Sequence, residues 1–445
     1  MPQSPTRRTF RWTFCWTARR SARALLLWSL ALAATAAALS GCYVAPDDRT
    51  KARVRLVNAT RDYAALELRV DGTLRQGAVA YGGAAGYVEI DPDRSSSSIT
   101  TPGSAAALLS FTPAVVQNKD YTVLAFGKAG TLRQLVLDEN QSAPASGKTG
   151  LRVLNAAADA GALDVYLTAA SDALATAVPV RAAAAYGELS PALDVNGGTW
   201  RLRVTGASTK TDLRLDAADI ALPAGQVAVL VLTPSAGGTL VDALLVKQRE
   251  AIVQADGTHA RVRAMAGVAG GGAVTATLGG VSLLDSATAV AGNYRFVPAG
   301  ASAPVISVNG NSVGAPATAL AAGRDATLLV YGPAATPAAV WLADDNQLPA
   351  ASGTARIRLV NASTGIAGAV SLSVDGEAVG NGSVAEGTSS AYSEVTASTS
   401  ATLAASSGGV SLFSASNQTL AAGGVYTVFV IGAPGATTGI IKRDR

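Results

Sequence analysis

The sequence predicts an all-β protein built from four tandem antiparallel β-sandwich modules behind an export leader. Three observations carry that reading. Four segments open alike, as Ala52-Arg53-Val54-Arg55-Leu56-Val57-Asn58-Ala59, Leu151-Arg152-Val153-Leu154-Asn155-Ala156, Ala260-Arg261-Val262-Arg263-Ala264-Met265-Ala266 and Ala355-Arg356-Ile357-Arg358-Leu359-Val360-Asn361-Ala362, at spacings of 97, 111 and 95 residues. Solenoid repeats are shorter, about 20 to 50 residues, so this period is that of a repeated domain. Within each copy apolar and polar residues alternate with the period of a half-buried strand. Outside the leader no segment of comparable length reads as an amphipathic helix.

The leader comes first in the chain of 445 residues. Residues 1–41 carry six arginines, Arg7, Arg8, Arg11, Arg19, Arg20 and Arg23, and no acid. An apolar run from Ala24 to Leu39 follows, shorter than the ~20 residues that a membrane-spanning helix needs and ending in small residues, as a signal peptide does. The segment Leu39-Ser40-Gly41-Cys42 resembles the lipobox of bacterial lipoproteins. That resemblance implies cleavage before Cys42, acylation of its thiol by chains such as palmitate, and attachment to a membrane without a spanning segment. Tyr43 follows the anchor, and the resemblance associates inner-membrane retention with Asp there, so an outer membrane lipoprotein is expected, on the periplasmic face or the cell surface. Thr6-Arg7-Arg8-Thr9-Phe10 resembles a twin-arginine export signal, but Arg19-Arg20 lies closer to the apolar run and the general secretory route is favoured. Cys15 leaves with the leader, so no internal disulfide is available to the mature chain.

A lipidated tether is expected over residues 42–51, then modules over 52–147, 148–257, 258–352 and 353–445. In each, a second alternating strand follows the opening one: Leu66 to Val70, Leu163 to Leu167, Val274 to Leu278 and Val370 to Val374. The first and last of these run into Asp71-Gly72 and Asp375-Gly376, a hairpin signal. A more continuously apolar strand comes later, at Tyr121 to Phe126, Val227 to Leu232, Ala326 to Tyr331 and Tyr426 to Ile431. With a closing strand such as Leu132 to Leu137, the count of short strands per copy predicts an immunoglobulin-like or transthyretin-like sandwich.

The shared openings, the Asp-Gly turn and the run Leu137-Asp138-Glu139-Asn140-Gln141 resemble the family named domain of unknown function 4397 over most of residues 52 to 445. The third copy departs most, with Ala266 in place of Asn and Gly270-Gly271-Gly272 in its first loop. The resemblance implies a β-sandwich in secreted or lipid-anchored bacterial proteins and brings no activity.

Charge narrows the function. The chain has 35 basic and 31 acidic side chains and a pI near 9.1. Removing the leader leaves 29 basic against 31 acidic, with no basic stripe interleaved with aromatics, so no nucleic-acid partner is expected. His259 is the one histidine, with Asp256 nearby, and would be the base of any Ser-His-Asp arrangement. It aligns with Lys51, Lys148 and Thr354, which predicts a solvated linker residue. Ser142 to Thr149 is one residue from a phosphate-binding loop, yet it leads into a strand, as does Gly270 to Gly272, and neither has the helix that such loops require. The acidic pairs Asp91/Asp93, Asp138/Glu139 and Asp344/Asp345 lack calcium-loop spacing and are expected as solvated turn carboxylates. Asn58, Asn155 and Asn361 are expected to bond local backbone, and Arg55, Arg152, Arg263 and Arg358 to point outward from edge strands.

No catalytic, cofactor-binding or metal-ligating residue is assigned, and Cys42 is the one modification site. The expected function is that of a non-enzymatic, lipid-anchored envelope protein acting as an extended binding or spacer element. A carbohydrate- or peptide-binding module array is the alternative, and an exported enzyme the third reading. The expected partners are the membrane, through the lipid on Cys42, and an envelope glycan or protein. Four such modules end to end would reach roughly 120 to 160 Å. The junctions differ in charge, acidic after modules one and three and basic after two and four, which predicts two pairs hinged at Lys247 to Thr258.

Overall fold

The computed structural model describes residues 50–92 and 95–445; the signal peptide, Cys15, Cys42, Tyr43 and Asp93 lie outside the described residues. Among the described residues every regular element is a strand except one 3-10 turn, Leu174–Thr176. The protein is all-β, arranged as four sandwiches of two main sheets, with an added two-stranded sheet of Gly300–Ser302 and Thr318–Leu320 in the third, and each sheet draws its strands from one module.

In the first module, Ala52–Asn58 lies inside a four-stranded sheet between Val88–Ile90 and Asp120–Phe126, with Arg133–Asp138 at the far edge. The opposing sheet runs Thr73–Ala80, Ala65–Val70, Ser97–Thr100, Leu109–Phe111. The hairpin at its edge turns on Asp71 and Gly72, at φ of 49° and 74°, a left-handed pair that the Asp-Gly sequence supplies. The other modules repeat this order around Lys148–Asn155, His259–Ala269 and Thr354–Ser363.

The modules are not wholly antiparallel. Ala52–Asn58 pairs parallel with Asp120–Phe126, as Lys148–Asn155 does with Val227–Pro234, His259–Ala269 with Asp325–Pro333 and Thr354–Ser363 with Val425–Gly432. A parallel pair needs a long crossover, and here the crossover is the whole opposing sheet. The opening strand is therefore interior in every module, not an edge.

The continuously apolar strand is buried on both faces, which is why it does not alternate. In Asp120–Phe126, Tyr121, Val123 and Ala125 enter their own module's core, whereas Leu124 and Phe126 join Val57 in a second cluster. That cluster is completed by Leu154, Val229, Val231, Leu244 and Val246 of module two. The same construction joins modules three and four, where Met265, Leu329 and Leu342 meet Val360, Phe429 and Ile431. The modules thus stack sheet on sheet in two pairs, and Thr50–Arg445 forms one compact unit rather than beads placed end to end.

Contacts between the pairs are more polar. The Gly237 amide donates to the Gly323 carbonyl at 2.7 Å, and the Leu348 amide to Asp159 Oδ1 at 2.8 Å. The expected hinge from Lys247 to Thr258 is not a free linker. Its residues Ile252–Ala255 form a fifth strand paired with Val241–Lys247, because their backbone groups complete the ladder of module two.

Candidate functional site

Three of the four recurring arginines, Arg55, Arg263 and Arg358, lie buried at the module pairing face rather than pointing outward. Strand alternation sends Val54 and Leu56 into the module core and Arg55 and Val57 to the opposite face, onto which the next module packs. Arg55, Arg263 and Arg358 are 4%, 0% and 1% exposed.

Their surroundings repeat. The Nε of each arginine donates to a threonine directly across the parallel pair: Arg55 to Thr122 at 2.8 Å, Arg263 to Thr327 at 2.9 Å and Arg358 to Thr427 at 3.1 Å. Each guanidinium lies over a tyrosine ring, Tyr87, Tyr294 and Tyr392, at 5.1, 4.7 and 4.7 Å from the centroid. A carboxylate closes each set. Thr327 and Tyr294 both donate to Asp344 at 2.6 Å, Thr427 to Asp444 at 2.5 Å, and Thr122 and Tyr87 to Glu139.

Between modules three and four the carboxylates are exchanged. Arg263 donates across to Asp444 and Arg358 donates back to Asp344. Burial alone would raise the Asp344 carboxyl, but the flanking Arg358 and Arg263 outweigh it and hold the group below the ordinary carboxylate range. Burial, reinforced by the Asp344 charge, pushes the Tyr294 phenol far up, so it stays a donor.

Module two has lost this set. Its opening strand pairs Arg152 with Val229 where the others have threonine. Ser190 caps the Val153 amide as Ser390 caps that of Leu359, which places Ala192 at the position of Tyr392. Gln248 follows the closing strand where Glu139 and Asp444 stand. Arg152 accordingly donates to the Ser190 carbonyl at 2.9 Å and remains partly exposed. Arg55 finds its cross-module acceptors on backbone instead, the Glu250 and Lys247 carbonyls at 2.5 and 3.1 Å. Arg249 adds an exposed clamp to Asp120 at 2.6 Å.

The remaining sequence candidates fall elsewhere. His259 begins a strand and stacks on Phe296 at 4.1 Å, sharing a hydrogen bond with Thr258; burial lowers its pKa. It is a half-buried strand residue, not a linker residue, since its ring covers an aromatic neighbour. Asp256 faces Arg61 at 3.9 Å. Lys148, in the near phosphate loop, bonds Asn196 at 2.6 Å. Glu139 and Asp344 are buried against arginine rather than solvated, while Asp345 pairs with Arg356 at 2.8 Å and Asp91 with Lys51. Among the described residues no group of three or more His, Cys, Asp or Glu side chains is placed to hold a metal ion.

Asn58, Asn155 and Asn361 bond backbone on both sides. Their Nδ2 atoms donate to the carbonyls of Val79, Ala184 and Val384 in the opposing sheet, and their Oδ1 atoms accept from the amide two residues on. Each clips the two sheets of its module together. Module three has Ala266 there and lacks the clip.

The recurring threonines and tyrosines were not singled out from the sequence. Their signal was present in the aligned copies, as the Thr of Tyr121-Thr122, Ala326-Thr327 and Tyr426-Thr427. Two clefts flank the pair of modules three and four. One, of about 690 Å³, is bordered by Trp341, Tyr392, Arg356, Arg324, Asp345 and Ser390. The Trp341 indole donates to the Pro316 carbonyl at 3.0 Å. The other cleft, at the opposite arginine, is basic and is taken up below.

Residues 52–166 match the family described as Domain of unknown function (DUF4397). The DUF4397 match takes in the first module, the opening strand of the second and part of its Leu163–Thr168 strand, a shorter stretch than the resemblance read from the sequence. Among curated proteins none matches the chain. Solved structures give low similarity. A crystal structure described as that of a candidate cell adhesion protein from Bacteroides uniformis is 12% identical, covers 46% of this chain and 100% of its own, and superposes with a TM-score of 0.21. The Bacillus anthracis TIE protein is 10% identical over 85% of this chain and 66% of its own, with a TM-score of 0.14. At those scores neither likeness bears on fold or function.

Proposed function

We propose that this chain is a non-enzymatic protein of the bacterial envelope, held to the outer membrane by lipid on Cys42, in which two locked module pairs act as a stiff spacer or binding element. The observation that supports the reading most is the use of the recurring polar residues. The Arg, Thr, Tyr and carboxylate that three modules share are engaged in joining modules, and the recurring Asn joins sheets. A buried polar set repeated in this way supports a role in fixing which module faces meet.

The test is fractionation of cells expressing the full chain with metabolic acyl labelling. Wild type should take up labelled palmitate and sediment with outer membranes, and Cys42→Ala should lose the label and enter the aqueous fraction. A Cys42→Ala protein that stays with membranes as strongly as wild type removes the anchor. Replacing His259 with Gln should leave any measured binding and the cellular phenotype unchanged; loss of function in a folded His259→Gln protein restores the enzyme reading.

The cleft beside Trp341 favours the second reading, a carbohydrate- or peptide-binding array. An aromatic face beside charged side chains is the usual composition of such a groove.

A further inference from the structure

The described molecule carries one concentration of positive charge that no single module contains. A cleft of about 330 Å³ lies where modules two, three and four meet. Six cations border it: Arg214 from module two, Arg261 and Arg263 from module three, and Lys442, Arg443 and Arg445 from module four.

Three of the six have carboxylate partners. Arg214 pairs with Asp212 at 2.5 Å, Arg261 with Asp325 at 2.5 Å and Arg263 with Asp444. The other three have no side-chain carboxylate among their partners. Lys442 donates to Asn293 Oδ1 at 2.9 Å, and Arg443 Nε to the main-chain oxygen of Arg445, the last residue of the sequence, at 2.7 Å. Arg445 Nη1 donates to the Gly238 and Asn346 carbonyls at 3.0 and 3.1 Å. Among the described residues none of the three has a side-chain carboxylate within ion-pair distance. Burial, with the Arg214 charge acting in the same sense, lowers the Arg445 guanidinium to about 10. The side chains lining the cleft thus count six cations against two carboxylates, Asp212 and Asp444.

We propose that this three-module cleft is a binding site for an oxyanion, a phosphate or carboxylate group on a small ligand or on a glycan. Guanidinium forks match the paired oxygens of both groups, and a site walled by protein screens their attraction less than open solvent does. The volume is at the lower end of the roughly 300 to 1,000 Å³ found for small-ligand sites, enough for one acidic sugar or phosphate ester. Asp444 couples the site to the module pairing, since the same carboxylate receives Arg263 and Thr427. The proposal stands apart from how the chain is anchored.

Isothermal titration of the purified full chain in detergent, at low ionic strength, tests it with two probes, inorganic phosphate and glucuronate. Saturable binding of either, weakened by added salt, is the expected result. Binding of phosphate alone assigns the site to phosphate groups, and of glucuronate alone to acidic sugars. Arg443→Gln, at an exposed side chain, and Lys442→Gln should each weaken binding about tenfold without moving the melting temperature. Failure of both probes to saturate, or unchanged binding in the folded double variant, overturns the proposal.

Discussion

Arg358 of the fourth module donates to Asp344 of the third, and both side chains are sealed from solvent. Arg263 lies 3.9 Å from the same carboxylate. One aspartate thus stands between two buried cations on different modules, and the pairing depends on it.

Asp344→Ala should therefore destabilise the protein by about 3–5 kcal/mol, because it leaves buried charge uncompensated. Denaturant melts measure the loss. Combining Asp344→Leu with Arg358→Met should recover most of it, since removing both charges removes the desolvation penalty. A single Asp344→Ala variant as stable as wild type would show that the cross-module charges do not hold the pair.

Arg152 sits at the equivalent place in module two and supplies a contrast. It is partly exposed and donates to one carbonyl, so Arg152→Ala should cost about 1 kcal/mol or less, against roughly 3–5 for Arg358→Ala. Equal losses at the two positions would mean that the missing threonine, tyrosine and acid of module two are immaterial.

Phe429 is fully buried in the cluster shared by modules three and four, whereas Val428 beside it belongs to the core of module four alone. Phe429→Ala should cost about 3–5 kcal/mol. Its hydrogen-exchange signature should extend across the interface into Asp325–Pro333, and that of Val428→Ala should stay within module four. Faster exchange confined to module four in both variants would refute the shared-core assignment.

Acid should open the third and fourth modules late. The Asp344 carboxyl is held below its ordinary 3.8 in the folded protein, so its contribution is complete above that pH and is lost as the pH falls through the lower, folded value. Melting temperature followed from pH 6 downward should show no loss from this site until the pH is below about 3.8, and Asp344→Asn should remove that component. An acid transition of the pair centred well above that pH would contradict the sign.

Much of the fold was legible because its signals are local. The alternation of Leu66 to Val70, the Asp71-Gly72 turn and the four openings each act within a few residues or recur by copy. The unbroken apolar run of Tyr121 to Phe126 marked a strand buried twice, although nothing in it said that Leu124 and Phe126 face another module. Asn58 and its counterparts were read correctly as structural, but the partner across the sandwich, Val79, lay outside any local pattern. The arginines were misread because alternation assigns a face and not what covers that face.

The sequence by itself determined that this protein is all-β, fourfold and modular, since strand period, turn chemistry and repeat spacing are properties of neighbouring residues. Only the tertiary structure decided that the opening strands pair in parallel, that arginines lie buried and that six cations converge on one cleft. Those outcomes rest on contacts such as Arg263 with Asp444, 181 residues apart, and Arg55 with the Glu250 carbonyl, 195 apart. The physical reason is that burial and charge compensation belong to surfaces, and a surface acquires its partner only when the folded modules meet.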